Sequence, residues 1–513
     1  MTPQAQSAAT ACIIRADASV SIGTGHVMRC LALAQAWQDR GGEVVFALAQ
    51  STPALVERLR AERIDVVCLD GAPGSEEDAG QLVALAQRLG ANWVVVDGYQ
   101  FHPPYQRSVK RSGLKLLFVD DNGEGGRYFA DFVLNQNLHA SPATYAQREP
   151  ATRLLLGTRY SMLRREFKAW RGWKRMIAPR ARKILVSVGG SDAPNLGGRV
   201  IEAMALLKQH DLEARVIVGG GNPHLDSLQR SAARLDGRVR LERSPNNIPE
   251  LMAWADVAVA AAGSTCWELC LLGVPAMVLD VAENQNGIAR SLDAAGVAIH
   301  PGGLETGPED IAERLDELLH APQLRAEMSE RGQRLVDGYG ADRVVSALRS
   351  AGLRVRHAEE KDCRLLWEWV NDPEVRSASF SSEAIPWEKH VEWFALKLRD
   401  PDCLIFIAED EQGFPVGQVR FEKMQSGDFE TDISIVRERR GLGLGACLMI
   451  KAAEQAFRET AARRLHAFIK PGNSGSIRLF EDAGFGATGM VQTRGCEAMH
   501  YVCERPASPV SDD

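Results

Sequence analysis

The sequence predicts an α/β protein: two consecutive lobes, each a parallel sheet wrapped by helices, followed by a separate α+β domain. Three observations predict it. Short apolar runs alternate with helical patterns from Ala11 to about Leu138, and the alternation resumes from Lys183 to Asp280. The pattern then changes after Gly352, where a helix-rich piece precedes a run of strands. Alternation of strand and helix argues for parallel sheets covered on both faces. At roughly 150 residues per domain, a chain of 513 residues holds about three domains. The expected boundaries are 11–150, 151–350 and 353–505.

Composition fits this class and excludes others. Hydrophobic residues make up 45% and charged residues 25% of the chain, ordinary values for globular domains. A net charge of −7 gives no basis for broad nucleic-acid or anionic-membrane binding. The first residues lack a basic start followed by an apolar run, so no secretory signal is expected. No apolar segment approaches the roughly 18 residues of a membrane span, and a cytoplasmic location is the expectation. The ten cysteines are scattered. Cys266 and Cys270 lie one helical turn apart, but no second pair completes a four-ligand metal site, so packing is expected of both.

In the first lobe, "VVFALA", "DVVCLD", "WVVVDGY" and "LKLLFVDD" read as strands. The opening strand "CIIRAD" runs into Gly23-Thr24-Gly25-His26-Val27-Met28, which begins like a dinucleotide fingerprint. Met28 stands where a third glycine would let helix approach strand, and no second-strand acid follows in the expected place, which disfavours NAD. Val27, Leu31 and Ala34 recur at helical spacing. His26 is therefore expected in the first turn of a helix with one buried face, on the solvent side of the glycines.

In the second lobe, "KILVSVGG", "ARVIVGGG", "RVRLER", "VAVAAAG" and "AMVLD" read as strands. Gly263-Ser264-Thr265 follows an apolar strand and opens a helix, where free N–H groups and the helix dipole suit a diphosphate. Glu268, one turn on, is placed to accept hydrogen bonds from a ribose diol, or simply complements the dipole. A second glycine turn runs from Gly189 through Gly190 and Ser191 to Asp192. Asn284 and Gln285 add polar amides just after the strand ending at Asp280. Two lobes of this kind face a cleft, and ligands bind beyond the carboxyl ends of their strands.

The second lobe, through "AAGSTCWEL", "LGVPA" and "ENQ", resembles the nucleotide-binding half of GT-B glycosyltransferases, especially the bacterial enzymes that add N-acetylglucosamine to lipid-linked muramyl peptide. The opening "RADASVSIGTGHVMRCLALA" resembles the UDP-sugar hydrolases of pseudaminic acid biosynthesis, over roughly residues 12 to 350. These resemblances imply a GT-B-like fold of two Rossmann-like lobes with His26 as catalytic base. They also imply substrate contacts from Arg15, Asp17, Gly25, Tyr99, Gly190, Ser191, Ser264, Thr265, Glu268, Asn284 and Gln285. A nucleotide diphosphate is already a good leaving group, so the chemistry needs a pocket for its charge and one base to activate water. Attack by a single water opposite UDP implies inversion. Asp97, beside Tyr99 at a strand end, either positions the reactants or is simply buried there. No metal is expected.

The C-terminal domain begins with a helical piece, Asp362 to Arg399, containing four tryptophans expected mainly in the core. Strands "LIFIAED", "VGQVRFEK", "TDISIV" and "RLHAFIK" follow. Arg440-Gly441-Leu442-Gly443-Leu444-Gly445 lies between a strand and a helix, where successive amides can ring a pyrophosphate. With "IKPGNSGSIRLFEDAGF" one helix and one strand later, it resembles GNAT acetyltransferases, over about residues 354 to 503. That implies acetyl-CoA as cosubstrate, held by Ile435, Val436, the Arg440 to Gly445 loop and Asn473. Phe480 stands where many such enzymes place a tyrosine acid, and it cannot donate a proton. Tyr501 or water is then the alternative acid, and Glu430 or Asp432 a candidate base. The two resemblances together imply a bifunctional enzyme acting on a UDP-linked amino sugar. A glycosyltransferase fused to a protein N-terminal acetyltransferase, or to a non-catalytic coenzyme A-binding module, is the alternative.

Overall fold

The apolar runs at the centre of each parallel sheet become strands buried on both faces. A computed structural model describes residues 11–19, 22–123, 125–280, 286–410, 413–441 and 444–505. The first sheet has seven parallel strands: β1 (Ala11–Ala16), β2 (Glu43–Leu48), β3 (Asp65–Cys68), β4 (Trp93–Asp97), β5 (Lys115–Val119), β6 (Phe132–Asn135) and β7 (Arg153–Leu156). Their order is β3-β2-β1-β4-β5-β6-β7. All residues of β1 and β4 are buried, as expected of a central strand covered by helices on both sides. Those helices are α1 (Gly25–Gln38), α2 (Pro53–Ala61), α3 (Glu76–Leu89) and α4 (Pro103–Arg111). In α3 the Ser75 hydroxyl accepts from the Asp78 N–H and Gly90 ends the helix at φ +62°, a side-chain cap of the kind typically worth about 1 kcal/mol.

Strands β6 and β7 are absent from the sequence expectation. Unlike the equally short β3 and β12, which are read from their apolar runs, they lie past the last strand–helix alternation of this lobe, with no α-helix between or after them. Helix α1 differs too: eleven of its residues are buried, so it buries nearly its whole circumference rather than one face. Its outer side is covered by the segment Arg165–Trp170, whose Arg165 N–H donates to Gln35 Oε1 at 2.7 Å.

The second sheet repeats the plan with β8 (Lys183–Ser187), β9 (Glu213–Val218), β10 (Val239–Arg243), β11 (Val257–Ala261), β12 (Ala276–Leu279) and a two-residue β13 (Ala298–Ile299). The order is β10-β9-β8-β11-β12-β13, all parallel. Helices α5 (Leu196–Leu206), α6 (Leu225–Ala233), α7 (Ile248–Trp254), α8 (Thr265–Leu271), α9 (Asn286–Ala294), α10 (Pro308–His320), α11 (Pro322–Leu335) and α12 (Gly340–Ser350) accompany it. In both sheets the strand order reverses beside the first strand, between β1 and β4 and between β8 and β11, and a crevice opens there at the strand C-termini.

The chain divides into two units after Val344, within α12. The second unit has one mixed sheet, ordered β14-β15-β16-β17-β18-β20-β19. Its strands are β14 (Arg354–His357), β15 (Cys403–Glu409), β16 (Pro415–Lys423), β17 (Phe429–Ile435), β18 (Arg464–Ile469), β19 (Gly486–Thr493) and β20 (Cys496–Glu504). The helices are α13 (Cys363–Val370), α14 (Pro373–Ala378), α15 (Trp387–Arg399), α16 (Leu444–Glu459) and α17 (Ser474–Asp482). Residues of α16 and α17 form a core against one face. On the other, Leu366, Trp369 and Phe394 pack on Cys403, Ile405 and Ile407. Trp367 and Trp387 meet edge to face at 5.5 Å, so these two tryptophans pack helix against helix. Strands β17 and β18 are parallel and pair only at Phe429 with Leu465 and at Glu430 with His466. Beyond those two pairs the strands run on to Ile435 and Ile469 without pairing to each other, β17 staying paired with β16 and β18 with β20. Among the described residues no helix is long and apolar enough to cross a membrane.

Candidate functional site

The crevice beside β1 and β4 is built around a buried carboxylate. Asp97 ends β4 with no exposure, and His26 is the second residue of α1. His26 Nδ1 lies 2.6 Å from Asp97 Oδ1. Arg29, one turn along α1, donates from Nε to Asp97 Oδ2 and from Nη2 to Asp97 Oδ1, both at 2.7 Å. Its Nη1 reaches both oxygens of Asp121 at 2.8 Å. Burial pushes the Asp97 carboxyl up, but Arg29 and then His26 outweigh it and hold the group well below the usual carboxylate range. Burial raises the neighbouring Cys30 thiol, which donates to Asp97 Oδ2 at 3.2 Å. An ionised Asp97 fixes the Nδ1–H tautomer of neutral His26, so the lone pair sits on Nε2.

Tyr99 stands beside this cluster. Its ring meets His26 edge-on at 5.0 Å, and its hydroxyl donates to Asp121 Oδ2 at 3.3 Å. At 48% exposure it is the open member of the group, whereas His26, expected on the solvent side, is only 8% exposed. A cavity of ≈130 Å³ opens here, with His26, Asp97, Tyr99, Phe101 and His102 in its wall. Gly23 takes φ +77°, which only glycine adopts without strain, and a Cβ at Gly23 or Gly25 would meet nothing within 4 Å. The opening turn therefore leaves space in front of His26. Gly190 of the second lobe faces it: a Cβ there would lie 3.2 Å from Thr24 Oγ1.

Arg15 and Asp17, expected as substrate contacts, are both buried, Arg15 with no exposed surface. Its guanidinium binds Asp78 Oδ2 and Asp17 Oδ1, each at 2.7 Å, and Tyr105 donates to Asp78 at 2.9 Å. A charge on a fully buried strand must be paired, and here the pair ties β1 to α3. Asp17, 2% exposed, accepts from the N–H groups of Ala49 and Gln50 and from Gln100 Nε2. Both residues brace the loop that carries Tyr99.

In the second lobe, the Gly189–Ser191 turn follows β8, and buried Asp192 caps α5 by accepting from the Leu196 and Gly197 N–H groups. Gly263 and Ser264 lead into α8, which begins at Thr265, and a Cβ on Gly263 would meet nothing within 4 Å. Glu268 pairs through Oε1 with Arg164 Nη2 at 2.8 Å. Burial pushes the Glu268 carboxyl up and Arg164 opposes it. Arg164 lies in a segment that reads as a linker, so sequence reasoning missed it, as it missed Arg29 and Asp121. Asn284 and Gln285 lie outside the described residues. Cys266 and Cys270 are buried in the core, with burial pushing the Cys266 thiol up to about 12. Among the described residues no group of three or more His, Cys, Asp or Glu could hold a metal ion.

In the second unit, Arg440 donates from Nε to the Ile435 carbonyl and from Nη1 to Asp372 Oδ1 at 2.9 Å and Glu374 Oε2 at 2.7 Å. Val436 follows the last residue of β17, and Gly441 takes φ +74°. Leu442 and Gly443 lie outside the described residues, and α16 opens at Leu444. A Cβ on Gly445 would come within 2.4 Å of Leu479, so glycine lets α16 and α17 approach. Asn473 caps α17 through Oδ1 at 3.0 Å from the Ser476 N–H. Phe480 is in the core, edge-on to Phe485. Tyr501 is 1% exposed and donates to Glu481 Oε1 at 3.0 Å. Glu430 is paired with Arg494 at 2.6 Å, whereas Asp432 stands 3.7 Å from Arg420 and is exposed.

Comparison with known proteins agrees with this division. Residues 183–339 match the glycosyltransferase family 28 C-terminal domain, and residues 352–486 match the acetyltransferase (GNAT) domain. An uncharacterized protein of Methanocaldococcus jannaschii is 24% identical over 92% of this chain and 96% of its own length. The spore coat polysaccharide biosynthesis protein SpsG of Bacillus subtilis is 28% identical over 45% of this chain and 68% of its own. The UDP-2,4-diacetamido-2,4,6-trideoxy-beta-L-altropyranose hydrolase of Campylobacter jejuni is 25% identical over 56% of this chain and 97% of its own length. The chain thus joins a part similar to the glycosyltransferase family 28 C-terminal domain to a part similar to the acetyltransferase (GNAT) domain.

Proposed function

We propose that the first unit hydrolyses UDP-2,4-diacetamido-2,4,6-trideoxy-β-L-altropyranose to UDP and the free sugar. The GNAT domain, on this reading, transfers an acetyl group from acetyl-CoA to the 4-amino group of the UDP-linked precursor. The observation that carries the first half is the 2.6 Å contact of His26 Nδ1 with Asp97, at the crevice of the first sheet. His26 Nε2 takes a proton from water as the water oxygen bonds to the anomeric carbon. The bond from that carbon to the diphosphate oxygen breaks with inversion, and UDP leaves with the electron pair. Gly190, Ser191, Ser264 and Thr265 are assigned to the diphosphate, Glu268 to the ribose, and Tyr99 to the sugar or the water.

For the second half, the support is the GNAT match together with a glycine loop that ends β17, where β17 and β18 have parted. The loop amides from Arg440 to Gly445 suit a pyrophosphate, and Asn473, which keeps an amide donor beyond its cap, stands after β18. Acetyl-CoA is assigned there.

Enzymes that transfer N-acetylglucosamine to a lipid-linked acceptor are also similar to this chain, one from Sorangium cellulosum at 26% identity over 60% of it. Transfer to an acceptor is therefore the second reading of the first unit. Mass spectrometry of products from the UDP-linked 4-amino sugar, with and without acetyl-CoA, separates the readings. Hydrolysis and acetylation together yield UDP and the free diacetamido sugar with no acceptor added. Accumulation of an acetylated UDP-sugar that is never cleaved would contradict the hydrolase.

A further inference from the structure

Thr24 immediately precedes α1, two residues before His26. A threonine in that place usually turns its hydroxyl back on the N–H groups of the first helical turn. Here the backbone of Thr24 is already helical, at φ −105° and ψ −1°, and its side chain makes no capping bond. Its carbonyl serves the helix instead, accepting from the Met28 N–H at 3.0 Å. The turn before it is tied down: the Gly23 N–H donates to the Ser19 carbonyl at 2.8 Å, and the Ile22 N–H to the Ser19 hydroxyl at 3.2 Å. A fixed backbone therefore carries a hydroxyl that the helix does not use.

That hydroxyl meets the second lobe. A Cβ on Gly190 would lie 3.2 Å from Thr24 Oγ1 and 4.0 Å from its Cγ2, so the oxygen is the nearer branch. Gly190 belongs to the turn after β8, and on another side of that turn a Cβ on Gly219, just past β9, would run into the Gly190 carbonyl. Side chains at 190 and 219 would force the turn, the strand end and the threonine apart. Thr24 thus reaches the turn assigned to the diphosphate from the side of His26. Cleavage of the bond between the anomeric carbon and UDP places negative charge on a β-phosphate oxygen. A donor already aimed at that oxygen binds it more strongly as the charge grows, which raises kcat rather than only lowering KM.

We propose that Thr24 is a catalytic residue of the first unit, its hydroxyl donating a hydrogen bond to the β-phosphate of UDP as the sugar leaves. The proposal rests on the hydrolase reading of this unit and on the Gly190 turn as part of the diphosphate site. The water oxygen bonds to the anomeric carbon, and His26 Nε2 takes the water proton. The electron pair of the broken bond goes to the β-phosphate oxygen. Thr24 keeps its own proton throughout. A serine hydroxyl can make the same bond, whereas valine has the shape of threonine and no donor.

The test compares Thr24→Val and Thr24→Ser with the wild-type full chain. It reads UDP release from the UDP-sugar without an acceptor, and the calorimetric affinities of UDP and UMP. No capping bond is lost with the hydroxyl, so both variants should fold. Thr24→Val should lower kcat by about 10²-fold, the scale of one lost oxyanion donor, with a smaller change in KM. Its UDP affinity should fall about tenfold, as for a hydrogen bond to a charged group. UMP, which lacks the β-phosphate, should bind as before, and Thr24→Ser should restore most of the activity and of the UDP affinity. A Thr24→Val chain with wild-type kcat, or one that loses as much affinity for UMP as for UDP, would overturn the proposal and leave hydrolysis standing. A wild-type chain that binds UDP but releases none from the UDP-sugar without an acceptor would overturn the hydrolase reading and the proposal with it.

Discussion

Asp97 accepts a hydrogen bond from His26 at 2.6 Å while both of its oxygens also bind Arg29. The carboxylate is thus held ionised in a fully buried position and sets the orientation of the one imidazole that faces the open turn. His26→Ala should reduce acceptor-independent UDP release by about 10²–10⁴-fold with little change in melting temperature. Asp97→Asn should lower turnover by a comparable factor, because an amide no longer enforces the Nδ1–H tautomer. It should also lower stability, since Arg29 then loses a buried partner. Turnover and a thermal melt on the same preparations separate the two effects.

The Asp97 shift gives a pH signature. Its folded value lies below the unfolded one, near 3.9 for a free aspartate, so its contribution to stability is complete above about pH 4. The contribution disappears as pH falls through the depressed folded value. Wild-type unfolding free energy should therefore rise with pH in that acid window, and Asp97→Asn should flatten the rise. Denaturant melts at a series of acidic pH values check this.

Arg15 separates bracing from binding. Arg15→Met leaves Asp17 and Asp78 without their buried cation, and breaking a buried pair of this kind costs about 3–5 kcal/mol. The folded fraction should keep the KM of the wild-type enzyme for the UDP-sugar. A raised KM with unchanged stability would return Arg15 to the substrate site.

Arg440 is engaged by Asp372 and Glu374 in the free chain. If the proposed pyrophosphate site requires that guanidinium, Glu374→Gln should tighten acetyl-CoA binding and Arg440→Ala should weaken it about tenfold or more. Calorimetric titration with acetyl-CoA reads both directions. Gly445→Ala should lower the melting temperature of this unit, because its Cβ would press into Leu479.

The alternation of apolar strands with helices made both parallel sheets legible, since two-sided burial writes continuous Val, Ile and Leu runs such as "WVVVD". The strands β6 and β7, which no α-helix separates or follows before the linker, and the two-residue β13 were not legible. The place of His26 in the first turn of α1 was legible from the glycine turn, and its expected role came from the family resemblance. Its partners were not: Arg29 meets Asp97 and Asp121 across 68 and 92 residues of sequence, and only the sheet order brings them together. The Arg15–Asp78 pair was not legible for a related reason, since a charge on an apolar strand looks the same whether it meets a ligand or a buried carboxylate. The approach of Thr24 to Gly190 depends on how the two lobes meet, which no local pattern records.

The most direct measurement is hydrolysis of UDP-2,4-diacetamido-2,4,6-trideoxy-β-L-altropyranose in water enriched with heavy oxygen, with no acceptor present. Wild-type protein should place the heavy oxygen on the anomeric carbon of the released sugar and leave UDP unlabelled, and His26→Ala should all but abolish both products. Label in the terminal phosphate of UDP, or no UDP release until an acceptor is added, would contradict a His26-activated water at the anomeric carbon.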